Sequence, residues 1–161
     1  MKTRKIVALI LAMVMLFVQA VSVYAEESET TEWYELVEED FEMDTESIQP
    51  VSPYSLYLMN VISSIVKLDS NKVGMRAEVH CAAVMSKITI TFKLQKLSGT
   101  SWNTVGSTVV YAYNTSSTAK SVTASNLSKG TYRTKASVMV TASNSSYSET
   151  LTCYSGSINL T

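Results

Sequence analysis

The chain predicts an all-β fold: an immunoglobulin-like β-sandwich of about seven antiparallel strands, preceded by a signal peptide and a disordered acidic leader. Three observations predict it. From residue 56 onward the composition turns to Ser, Thr, Val and Tyr, with apolar residues alternating at period two. Clusters of turn-forming residues recur between those stretches. The 106 residues involved suffice for one core and not for two.

The elements follow in order. Val61 to Leu68 is a first strand, although its apolar spacing also suits a helical turn, and Asp69 to Lys72 is a turn. Val73, Met75, Ala77, Val79, Cys81 and Ala83 alternate with polar or small residues in a half-buried second strand. Ile88, Ile90, Phe92 and Leu94 mark a third. Ser98-Gly99-Thr100 reverses the chain into a fourth, from Trp102 through a bulge near Gly106 to Tyr113. Asn114 to Thr118 reads as a loop and Lys120 to Ala124 as a short fifth strand. Ser128-Lys129-Gly130 turns into a sixth, Tyr132 to Ala142. Asn144 to Tyr147 turns again, into a seventh, Glu149 to Ser155, which Ser157 to Leu160 can extend. Trp102 and Tyr132 are expected in the core, with a place near Tyr111 and Tyr113 as the alternative for Trp102. Tyr132, just after a Gly turn at the start of a late strand, stands where a tyrosine corner would sit.

Residues 1–25 read as a signal peptide. Lys2, Arg4 and Lys5 precede the apolar run Ile6 to Val18, and Val23-Tyr24-Ala25 supplies a cleavage site. Residues 26–55 form an acidic linker with eleven acids and no base, a composition that opposes folding alone. Residues 56–161 hold ten bases against three acids, so a leader of charge −11 is tied to a domain of charge +7. That asymmetry predicts loose, salt-sensitive association in which the leader masks the basic face, or else a spacer that touches nothing.

The stretches "KITITFKLQKLSGTSWNTV", "LSKGTYRTKASVMV" and "SYSETLTCYS" resemble small exported single-domain β-sandwich proteins of uncharacterised function from Gram-positive, Clostridia-type bacteria. The resemblance spans roughly residues 56–161 and rests on scaffold motifs. It implies fold and export, and carries over no catalytic or binding residue.

The chemistry is mostly exclusion. His80 and Cys81 are neighbours on a strand and point to opposite faces, so they cannot form a nucleophile pair. Cys81 and Cys153 form a possible disulfide in an exported chain, with two buried thiols as the alternative. Asp40-x-Glu42-x-Asp44-x-Glu46 lacks the glycine and spacing of a calcium loop. The domain's acids, Asp69, Glu78 and Glu149, single out no catalytic pair. No cofactor or metal site is expected, and no catalytic residue is assigned. The candidate binding face is Lys93, Arg133 and Lys135, alternating outward on neighbouring strands, with Tyr111 and Tyr113. The expected role is a secreted, non-catalytic protein that binds an anionic cell-wall polymer, a glycan or a protein. Neither nucleic acid nor, after signal removal, membrane is an expected partner. The alternatives are a small secreted hydrolase and a strand-exchanging assembly module.

Overall fold

The computed structural model describes residues 32–41, 48–49, 55–143 and 147–161. The expected signal peptide, the start of the expected leader, Glu42, Asp44 and Glu46, and most of the expected turn after Ala142 lie outside the described residues. The described chain is all-β and antiparallel, with no helix. Its elements are β1 (Leu36–Glu38), β2 (Ile48–Gln49), β3 (Leu58–Asp69), β4 (Lys72–Ser98), β5 (Ser101–Ala124), β6 (Gly130–Ala142) and β7 (Ser148–Leu160).

Two of the predicted strand boundaries are not chain reversals. The second and third predicted strands are one 27-residue strand, β4, and the fourth and fifth are one 24-residue strand, β5. They form one long hairpin closed by Gly99 and Thr100, with Gly99 at φ 57°, where a side chain would be strained. The register of the hairpin shifts twice, most widely near its open end. His80 pairs with Ser117 and Met85 with Thr115, so four residues of β4 bulge against one of β5. The residues unpaired within the hairpin are Cys81 to Val84 on β4 and Ser116 on β5, near Asn114 at φ 51°. On β5 the shift falls within Asn114 to Thr118, the stretch that reads as a loop in the sequence.

The bulge divides the sheet into two halves. Before it, β4 pairs with β3, and β3 with β2; after it, β4 pairs with β6, and β6 with β7. β5 lines the other side of β4 throughout. Val73, Met75, Ala77 and Val79 from the first half join Ile88, Ile90, Phe92, Leu94, Val138 and Val140 from the second in one buried cluster. Thr134 of β6 donates to the Ser64 carbonyl of β3 at 3.4 Å, although the two strands are not paired.

Tyr132 is fully buried, and its hydroxyl donates to the Ser128 carbonyl at 2.8 Å. That four-residue backward bond is the geometry of a tyrosine corner.

The leader differs most from expectation. Disorder over 26–55 does not describe residues 32–41, which are fixed on the domain. Leu36, Val37 and Glu38 pair with Ala124, Thr123 and Val122 of β5. Leu36 is buried, and the Tyr34 amide donates to the Val105 carbonyl at 2.7 Å. Gly106 makes this possible, since a Cβ there would stand 2.7 Å from the Tyr34 carbonyl oxygen. The Phe41 ring lies against Gly74, where a Cβ would meet it at 2.5 Å. The physical reason is alternation. Apolar residues interleaved with acids let one side of the leader bury while the acids meet bases of the domain.

Candidate functional site: a cationic and aromatic sheet face

The second half of the sheet has one face in the core and one in solvent. On β4, Ile88, Ile90, Phe92 and Leu94 point inward, so Lys87, Thr89, Thr91, Lys93 and Gln95 share the outer face. Register places their neighbours. Lys87 stands beside Tyr113 and Thr141, and Thr89 beside Tyr111 and Met139. Lys93 stands beside Ser107 and Lys135, and Gln95 beside Thr104 and Arg133. On β7, Tyr154 is opposite Lys135.

The structure therefore brings together all five predicted binding residues, Lys93, Arg133, Lys135, Tyr111 and Tyr113. It adds Lys87 and Tyr154, which sequence reasoning missed, and Trp102, which the sequence placed either in the core or near Tyr111 and Tyr113. Trp102, expected in the core, is half-buried on this outer face, with the Arg133 guanidinium 4.3 Å from its ring centre. The cause is a bulge in β5. Leu94 pairs with Gly106 but Gln95 with Thr104, so the extra residue Val105 reverses the alternation and turns Trp102 to the side of Tyr111. Arg133 is also 4.6 Å from Tyr154, and Lys87 Nζ stands 4.3 Å from the Tyr111 ring. Tyr111 and Tyr113 are 44% and 58% exposed and 6.3 Å apart.

Charge is sorted relative to the outer face. The leader engages Lys72 through Glu39 at 2.9 Å, Lys120 through Glu38 at 2.5 Å and Lys96 through Glu32 at 3.7 Å. Glu39 also accepts from Thr123 at 2.8 Å, and with Lys72 this holds its carboxyl below the usual carboxylate range. Glu32 is held low by hydrogen bonds from Tyr34 and Ser128, with Lys96 assisting. None of these contacts falls on the outer face. Among the described residues, Lys87, Lys93, Arg133 and Lys135 meet no carboxylate, and no acidic side chain stands in their rows. The expected masking of Lys93, Arg133 and Lys135 is not what residues 32–41 do.

The other candidates are committed elsewhere. Cys81 and Cys153 are buried free thiols and not a bridge. Ser63, which faces Cys153, pairs with Ala77, four residues along β4 from Cys81. That is about 13 Å of strand, against the roughly 7 Å between Cα atoms that a disulfide allows. Burial, and secondarily the Glu149 charge, pushes the Cys81 thiol up to about 11; burial likewise pushes Cys153 up to about 11. Both stay protonated at neutral pH and are poor nucleophiles. His80 is exposed, on the face opposite Cys81. Glu78 pairs with Arg76 at 2.8 Å. Glu149 accepts from the amides of Leu56, Tyr57 and Leu58 at 3.2, 2.9 and 3.3 Å. Burial raises the Glu149 carboxyl, but bonds from Ser55 and these amides outweigh it, so the net shift is downward. Among the described residues no three metal-ligating side chains come together. No family model, no curated protein and no solved structure matches the chain.

Proposed function

We propose that this is a secreted, non-catalytic protein with an immunoglobulin-like sandwich fold, in which the two sheet halves are the two layers. Its outer β5–β4–β6–β7 face binds an extended anionic ligand of the cell envelope. The observation that carries this reading is the sorting of charge. In the other half Lys72 and Lys120 meet the chain's own leader and Arg76 meets Glu78, while Lys87, Lys93, Arg133 and Lys135 meet no carboxylate among the described residues and stand among aromatic rings. Export rests on the order of charged, apolar and small residues in 1–25 and on the resemblance to small exported β-sandwich proteins. The test is co-sedimentation of the protein with purified cell-wall material at low and high salt. Binding that falls with salt and is lost in the Lys93→Gln/Lys135→Gln variant supports the reading. Binding unaffected by those substitutions rejects the face.

The leader strand favours a second reading, an assembly module. β1 adds to the edge of β5 within one chain, and the same pairing between chains would link copies. A concentration-dependent dimer in size-exclusion chromatography, abolished by Leu36→Asp, would support this reading; a monomer throughout would remove it.

A further inference from the structure

Resting on that reading, we propose that the ligand is an acidic polysaccharide, and that Trp102, Arg133 and Tyr154 form a station that reads its carboxylates. Arg133 is held on three sides. Trp102 and Tyr154 lie 4.3 and 4.6 Å from its guanidinium carbon, and its Nε donates to Oε1 of the buried Gln95 at 2.9 Å. Among the described residues no acceptor meets its two Nη groups. An arginine so fixed presents a planar fork with its ordering entropy already spent, the geometry that grips a carboxylate through two parallel bonds.

The next row supplies an independent argument. Lys93 and Lys135 are directly opposite each other across β4 and β6. Like charges in that position repel and destabilise a sheet. An anion lying across the row removes the repulsion, so the pair favours the occupied state.

The far end of the face is a second station, Lys87 with Tyr111 and Tyr113. It lies eight residues along β4 from the Gln95 row, roughly 26 Å at strand spacing. One small anion cannot span that distance, whereas a linear polymer can. Between the stations lie hydroxyls, including those of Thr91, Ser137 and Thr152. A uronate ring offers its C–H face to an aromatic ring and its carboxylate to the neighbouring cation, so it uses both halves of each station. A polyphosphate uses the cations and leaves the rings idle.

The test uses a Trp33→Phe background, so that Trp102 is the sole tryptophan. The probes are polygalacturonate, its methyl ester and linear polyphosphate, at one ionic strength, read by calorimetry and by Trp102 fluorescence. Polygalacturonate should bind and shift the fluorescence, and the ester should bind at least about tenfold more weakly. Arg133→Lys keeps the charge but loses the fork. It should weaken polygalacturonate about tenfold and polyphosphate little, with an unchanged thermal transition. Lys93→Gln/Lys135→Gln should weaken both polymers, which checks the row independently of Arg133. Tight polyphosphate binding with the same Trp102 response, or an Arg133→Lys variant equal to its parent, overturns this proposal and leaves the broader reading standing. No binding to any of these polymers or to cell-wall material sinks both.

Discussion

Trp102 and Tyr132 are both large aromatics beside a turn, and their surroundings give them opposite roles. Tyr132 fills the core and ties its hydroxyl to the Ser128 carbonyl. Tyr132→Ala should cost about 3–5 kcal/mol in urea unfolding, and Tyr132→Phe about 1 kcal/mol, the usual value of one buried hydrogen bond. Trp102 instead stacks on Arg133 at the surface. Trp102→Ala should cost under about 1 kcal/mol, the range of an exposed cation–π contact, while the ligand affinity falls. A loss above about 3 kcal/mol would return Trp102 to the core. Tyr132 was legible because a Gly turn followed by a strand start is a local signal. Trp102 was legible only in part. A bulge near Gly106 was expected from the sequence, but parity counted from Tyr111 places Trp102 inward unless that bulge adds one residue, and the pairing with β4 decides this.

At the scale of elements, the long hairpin shows what period-two reading catches and loses. Inward and outward positions of β6, and of β4 over Ile88 to Leu94, follow the alternation because one face lies in the core, whereas Val61 to Ile65 of β3 are all buried. Asn114 to Thr118 was legible as an interruption, but a bulge within a strand and a reversal look alike until partners are known. The leader was misread for a similar reason. Its charge predicts disorder for the segment alone, whereas its stability comes from bases and a sheet edge supplied by the domain. Exposed ion pairs contribute little each, at most about 1 kcal/mol, so Leu36 and the backbone bonds hold the leader. Leu36→Ala should therefore cost about 2 kcal/mol and release the amides of residues 34–39 to hydrogen exchange, whereas 0.5 M salt should not. Glu149 ties the start of β3 to β7 and gives a pH signature. Its folded carboxyl lies below the ordinary glutamate range, so its stabilisation is present above that range and is lost as pH falls through the lower folded value. Glu149→Gln should be destabilising at pH 7, and the gap from the parent should close on acidification toward pH 3. A gap constant with pH would show that the amides of Leu56, Tyr57 and Leu58 do not depend on the charge.

For the whole molecule, the charge asymmetry was plain from the sequence, but the place where opposite charges meet was not. Eleven acids facing seven excess positive charges suggested that the leader covers the basic face. Register decides otherwise. β1 lies on the edge of β5 in the first half beside Lys72 and Lys120, and Glu32 reaches Lys96 off the outer face, while Lys93, Arg133 and Lys135 project from the outer face of the second half. Neutralising the leader separates the two arrangements. Glu32→Gln/Glu38→Gln/Glu39→Gln frees three cations that lie away from the aromatic stations. If each then engages any polyanion, the logarithmic salt slope should steepen by roughly 2–3, taking about 0.7–0.9 per cation as on nucleic acids. That added binding should be non-selective and vanish at high salt, because it rests on charge alone. The Trp102 response to polygalacturonate at high salt should stay where it is in the parent protein. A leader that masks the outer face makes the opposite demand. Removing its charge would then raise the affinity reported by Trp102 itself, most strongly at low salt, and the charge sorting that supports the binding face would have to be abandoned.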